Sequence, residues 1–326
     1  MWLENRNSRV YFGIILGVLL IAAIGITHAL HKNKITLSHP SIPLYTGKPG
    51  TKILDTCINP KDGAEMVWVP AGKFLMGISK KDAQLVIINN PGIPLYSIQD
   101  EQPKRSIYLS GYWVYKYPVS TNQYMKFCKA TGRKFPDMTA VTYFRILNYT
   151  IPIRYSAFQD NYPMTYVNWQ QSVDYAAWAG ASLPTEAQYE KAARGTDGRT
   201  YPWGNKWDSS KCVNSVGKQL QSTESLSGYE SGKSPYGCMQ MVGNIYEWCG
   251  DYYDLNYYKK APLTDPPGPA QGTRIQIASY DFRDARILRG GSWVHNGSND
   301  FRCTDRHLWF PDQVNSEYGF RCVIRP

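Results

Sequence analysis

The residues with most chemistry to offer crowd into the last part of the chain. Arg289-Gly290-Gly291-Ser292-Trp293-Val294-His295 sets a hydroxyl, an indole and an imidazole around two adjacent glycines, and the segments Phe301-Arg302-Cys303 and Tyr318-Gly319-Phe320-Arg321-Cys322 follow. Paired glycines let a backbone take positive φ or let another segment pass close. The stretch is either a tight turn between core strands or the wall of a reactive centre. His295, Asp305 and His307 add two imidazoles and a carboxylate, the donor mix of a non-haem iron site. Their order in the sequence does not by itself put them on one face.

Composition limits the settings in which such chemistry could sit. The chain has 326 residues, 43% hydrophobic and 19% charged, enough for a packed core and too apolar for wholesale disorder. With 25 Tyr and 10 Trp beside 27 Gly and 21 Pro, a loop-rich fold knitted by aromatics is expected. The net charge of +10 is scattered rather than run together, which reads as a solvated basic surface and not as a nucleic-acid partner site. Seven cysteines occur without any CxxC, and five histidines complete no zinc-binding spacing. Outside the cytoplasm these cysteines would by default pair, leaving one thiol over.

The chain divides by composition. Residues 1–9 form a short tail carrying Arg6 and Arg9. Residues 10–31 read as a transmembrane anchor, since Tyr11 to Leu30 is an apolar run of twenty residues, roughly 30 Å as a helix. A cleaved signal peptide is the competing reading, with Thr27-His28-Ala29 as a poor cleavage site. The short tail and the cysteine content place the domain that follows outside the cytoplasm. Residues 32–62 read as a Pro- and Gly-containing linker, and 63–326 as the globular domain.

Within the domain, Glu65 to Gly77 alternates around a Pro-Ala-Gly break, as two strands would. Residues 78–105 look like a loop, and Ile107 to Tyr117 like one strand interrupted by Gly111. Three helices announce themselves by their caps: Ser120 before Thr121 to Thr131, Asn168 with Gln171 before Trp169 to Ala179, and Thr185 with Gln188 before Glu186 to Arg194. Residues 133–167 look irregular, and 250–287 look like a long polar insertion.

Eight stretches in order, MVWVPAGKFLMG, VSTNQY, PMTYVNWQQSVDYAAWAG, LPTEAQYEKAARG, YPWGN, SPYGCMQMVGNIYEWCGDYY, RGGSW and YGFRC, resemble the formylglycine-generating enzyme (sulfatase-modifying factor) family over about residues 64–326. The resemblance implies an α+β, C-type-lectin-like domain with little regular secondary structure. It implies that Ser292 lies in the active site, and that His295 and Asp300 stand where copper-dependent members carry the two thiols that bind Cu(I). Soft thiolates select Cu(I), whereas an imidazole and a carboxylate do not, so copper is not expected. The same resemblance assigns a Ca²⁺ loop to Gln240, Gly243, Ile245 and Glu247 and the start of a second site to Asn214 and Ser215. A buried carboxylate bonded to backbone amides is the other reading of Glu247. In members that have them, the C-terminal cysteines pair with helix cysteines, at positions that are Ala176 and Ala193 here, so Cys303 and Cys322 are expected to bond to each other.

These expectations favour a membrane-anchored binding or envelope-complex assembly protein, with a protein partner meeting loops 133–167 and 250–287. A divergent formylglycine-generating or other metal-dependent oxidase is the alternative, and enzyme activity is left open.

Overall fold

The computed structural model describes residues 42–326 except 90–92, 94–95, 137–141, 147–148, 154–159, 217–221 and 278. The apolar run at 10–31 lies outside the described residues. Among those residues, no helix is long and apolar enough to cross a membrane.

Two four-stranded sheets carry the domain. The first runs β1 (Thr56–Ile58), β2 (Glu65–Val69), β5 (Tyr112–Tyr115), β14 (Val323–Ile324) in that spatial order, all neighbours antiparallel. The second runs β12 (His307–Trp309), β11 (Arg286–Arg289), β8 (Tyr246–Tyr252), β13 (Tyr318–Gly319), with only β8 and β13 parallel. Among the described residues there are also three two-stranded antiparallel ribbons: β3 (Gly72–Met76) with β4 (Arg105–Leu109), joined through the long segment 77–104, and the hairpins β6 (Thr142–Ile146) with β7 (Tyr149–Ile153) and β9 (Ile275–Ile277) with β10 (Tyr280–Phe282).

Strand periodicity divides the core in two. Alternate residues point to opposite faces of a sheet. Val67, Val69, Tyr112 and Val114 enter one apolar cluster while Met66, Trp68, Trp113 and Tyr115 enter another. The first sheet is therefore buried on both faces. This arrangement corrects the expected Cys303–Cys322 disulfide. Cys303 belongs to the first cluster and Cys322 to the second, and all seven cysteines are buried with none in a disulfide. Burial pushes the Cys303 thiol up to about 12 and that of Cys322 well above its usual range, so they are inert packing residues. With no disulfide to protect, cysteine content no longer argues for an oxidising compartment.

The capped helices form where their sequences place them. Helix α2 (Thr121–Thr131) begins under Ser120, α3 (Trp169–Trp178) under Asn168, and α4 (Glu186–Arg194) under Thr185. Each cap side chain accepts from the backbone N–H three residues on, and that residue's glutamine returns the bond. Gly132 closes α2 at φ 70°.

Other expectations fail for local reasons. β1 lies inside the expected linker, because its three residues pair with β2. The expected loop at 78–105 contains helix α1 (Lys80–Asn89). Ser79 and Asp82 cap it by exchanging side-chain and backbone bonds at 3.1 and 3.3 Å, but the consecutive run Leu85-Val86-Ile87-Ile88, with Leu85 and Ile88 exposed, blurs its helical period. The single strand expected at 107–117 is two, β4 and β5, in different sheets. They part at Gly111, where a Cβ would come within 2.4 Å of the Trp68 ring. The insertion at 250–287 ends in the β9–β10 hairpin rather than in open loop.

Removing the Thr185 hydroxyl leaves the Gln188 N–H without its acceptor. Thr185→Ala is expected to cost about 1 kcal/mol, read as a lower urea midpoint at unchanged slope.

Candidate functional site

All nine residues of α4 are buried, Glu186, Glu190, Lys191 and Arg194 among them. A buried charge is tolerable only when paired. Glu186 receives the guanidinium fork of Arg306 at 2.7 and 2.8 Å and a third bond from Arg289 at 3.3 Å. Glu190 accepts from Arg289 at 2.9 Å, Arg194 at 3.1 Å and the Gly77 N–H at 2.7 Å. Arg289 ends β11, so its anchorage to α4 fixes where the chain turns. Gly290 and Gly291 then take φ of 100° and 69°. A Cβ on the first would lie 2.6 Å from the Tyr189 hydroxyl, and one on the second 2.6 Å from the Asp300 carbonyl. The glycine pair is thus a turn in a crowded wall.

Directly after that turn, Ser292 is fully buried. Its hydroxyl donates to Glu317 Oε2 at 2.5 Å and lies 2.9 Å from His295 Nδ1. The Ser292 N–H approaches the same nitrogen at 3.3 Å. With its proton given to Glu317, the hydroxyl oxygen is left to accept from His295 in the tautomer that carries a proton on Nδ1, so carboxylate, hydroxyl and imidazole form a short line. Being buried and engaged from both sides, Ser292 is not presented to a substrate as a nucleophile. Ser215 supports this arrangement from outside: its N–H bonds the His295 carbonyl at 2.9 Å and its hydroxyl the Val294 carbonyl at 3.0 Å.

Tyr246 stands between the two histidines. Its ring stacks on His307 at 4.6 Å and meets His295 edge-on at 5.3 Å. Burial and the nearby His295 push the His307 imidazole down to about 4. Burial raises the Asp300 carboxyl against the pull of His295 and Arg302. It also raises Asp305 well above its usual range, although Arg302 lies 3.6 Å away. The structure brings Ser292 and His295 together with Glu317, which the sequence reading missed. It does not assemble His295, Asp305 and His307 into a metal triad. Among the described residues, no three His, Cys, Asp or Glu side chains are grouped to hold a metal ion. Tyr246 lies inside one family stretch and Glu317 just before another, far apart in sequence, and only the fold shows their proximity to His295 and Ser292.

The family model for the "sulfatase-modifying factor enzyme 1-like domain" matches residues 56–326. The chain belongs to this sulfatase-modifying factor family. It is 30% identical over 308 residues to the formylglycine-generating enzyme of Thermomonospora curvata, covering 80% of this chain and 93% of that protein. It is also 30% identical over 266 residues to the serine/threonine-protein kinase pkn1 of Chlamydia caviae, with 79% of this chain covered. The chain spans only 38% of that kinase's length. A bovine relative, 25% identical and 87% covered, is named inactive Cα-formylglycine-generating enzyme 2. Among solved structures, PvdO from Pseudomonas aeruginosa superposes with a TM-score of 0.62 at 22% identity, over 84% of this chain and 99% of that one. This supports the mixed α/β fold expected for the domain.

In this sulfatase-modifying factor domain the residues at the expected metal positions do not fit their metals. Cu(I) calls for soft sulfur donors, but the two positions hold His295, engaged by Ser292, and the carboxyl of Asp300. Ca²⁺ calls for free oxygens. Both Glu247 oxygens are instead taken by the Arg321 fork, each at 2.7 Å. Gln240 Oε1 accepts from Asn244 at 2.7 Å, and the Gly243 carbonyl accepts from the Ile245 N–H at 2.9 Å. At the second set, Asn214 Oδ1 accepts from the Val216 N–H at 2.9 Å and Ser215 is bonded as above. Glu247 is thus a buried carboxylate, paired with an arginine and not with backbone amides.

Two outcomes follow from this pairing and from His307. Arg321→Met strands a buried carboxylate and is expected to cost about 3–5 kcal/mol. The double variant Glu247→Leu/Arg321→Met recovers most of that loss, and millimolar Ca²⁺ leaves the wild-type melting temperature unchanged. A rise of several degrees with Ca²⁺ would contradict the assignment. For His307, the unfolded chain takes up a proton near pH 6.5 that the folded chain refuses until about 4. Stability therefore falls as pH drops through that window. His307→Phe should flatten this part of the stability curve, measured by urea midpoints from pH 7 to 4.

Proposed function

We propose that this domain acts by binding, at a membrane, and not by copper-dependent formylglycine generation. The observation that carries the reading is the Glu317–Ser292–His295 line. It fills the site with hydrogen-bonded oxygen and nitrogen where the oxidase chemistry needs accessible thiolates. The seven thiols that the chain does have are buried elsewhere in its core. A family relative itself named inactive in that chemistry fits a scaffold that persists without it.

Residues 10–31 serve as the anchor in this reading, on the strength of the uncharged run from Tyr11 to Leu30. The domain lies on the extracytoplasmic side in this reading. The β9–β10 hairpin and the loop around β6–β7 offer the contact surface, since loops on a rigid base commonly carry recognition. A protein of the envelope is the proposed partner.

The second reading, a divergent formylglycine-generating or other metal-dependent oxidase working at His295 and Asp300, draws on the identity to the Thermomonospora curvata enzyme along nearly all of its length. One assay separates the two. The full chain is supplied with Cu(I) and O₂ and offered a CxPxR peptide, and aldehyde is read by mass spectrometry. The binding reading expects no aldehyde above the protein-free control. Turnover abolished by His295→Ala would establish the oxidase.

A further inference from the structure

The β9–β10 hairpin walls a cavity of about 660 Å³. Ile275, Ile277, Tyr280 and Phe282 line it from the hairpin, and Leu255 and Trp309 from facing segments. The rings are mutually packed, Tyr280 to Trp309 at 5.4 Å and Phe282 to Trp309 at 5.6 Å.

Against these apolar walls the cavity also holds Asp100, only 2% exposed. Its Oδ2 accepts from the Tyr253 hydroxyl at 2.8 Å. Among the described residues, its Oδ1 has no hydrogen-bond partner. The nearest cation, Arg306, reaches Oδ2 only at 3.7 Å, and its fork is already spent on Glu186. The neighbouring Glu101 is matched by Arg302 at 2.6 and 2.7 Å. Asp100 is therefore a buried acid that shares its cation, Arg306, with Glu186 and has one acceptor left unbonded among the described residues. Burial pushes its carboxyl up to about 7, with Arg306 opposing and Glu101 adding to the rise.

Gln99, Gln276, Arg306 and His307 also line the cavity, and a largely apolar cavity with a few polar groups is the usual build of a small-ligand site. The partner that Asp100 Oδ1 lacks is a donor, and Arg306, committed to Glu186, does not supply it. We infer that this cavity binds an amine attached to an apolar or aromatic body, the ammonium donating to Asp100 Oδ1 and the body lying against Tyr280, Phe282 and Trp309. Ring faces beside the ammonium add to the attraction, and an anionic ligand would meet Asp100 with the wrong sign. The inference rests on the binding reading for its surface and adds the ligand's chemistry. It is measured on the chain alone, so the absence of a protein partner and the failure of the pocket give different results.

The test titrates the full chain with 2-phenylethylamine, 2-phenylethanol and 3-phenylpropanoate, followed by calorimetry and tryptophan fluorescence. The amine should bind at least about tenfold tighter than the alcohol, the size expected of one charge-assisted hydrogen bond, and the acid should bind least. Asp100→Asn should remove that preference. Tyr280 is 47% exposed, so Tyr280→Ala should keep the fold and weaken all three ligands, which preserves a readout if the Asp100 variant does not fold. Equal affinity for amine and alcohol, tighter binding of the acid, or no binding of the amine at millimolar concentration would overturn the inference.

Discussion

A helix that carries Glu186, Glu190, Lys191 and Arg194 on its faces cannot be buried unless each charge meets a counter-charge or a set of dipoles. In this domain Arg289 and Arg306 come from the far end of the chain, Arg194 from the helix itself and the carbonyls for Lys191 from near the domain's start. Arg289 and Arg306 converge on Glu186, Arg289 and Arg194 converge on Glu190, and Lys191 is held by the Pro70 and Gly72 carbonyls. Arg321 on Glu247 and Arg302 on Glu101 repeat the device. Such pairs add little net stability over an apolar core, but removing one member is severe. Their value lies in geometry. A guanidinium fork meets a carboxylate in few orientations, so the pairs set where β11 ends, how the Gly290–Gly291 turn is aimed, and where Ser292 and His295 stand.

Much of this was legible before the fold. The three capped helices carry explicit start signals and sit within a residue of where these point. The family resemblance located the turn and the residues at its thiol positions. Other parts could not be read because their causes are non-local. Whether Cys303 and Cys322 can meet depends on which face of a doubly buried sheet each occupies, and sequence spacing says nothing of that. Glu247 looks like a metal ligand in its local segment, and only the arrival of Arg321, 74 positions on, shows that its oxygens are spent. Helix α1 was hidden because four apolar residues run together from Leu85 to Ile88, on exposed and packed faces alike, and show no helical period.

In the binding reading the site is a family scaffold without the copper thiols. Its supporting wall is the glycine pair and the arginine behind it. The groups at its centre are oxygen and nitrogen donors sharing protons, and the thiols of the chain serve as packing. An account in which the fold is kept for recognition needs the wall and the outer hairpin, and it needs nothing from sulfur.

That claim is most directly tested by a Cu(I) competition. The full chain is titrated against a chromophoric Cu(I) chelator under reducing, oxygen-free conditions. The account predicts that the chain takes no Cu(I) from the chelator, and that His295→Ala and Asp300→Ala change nothing. Withdrawal of one equivalent of Cu(I), lost in either variant, would contradict it.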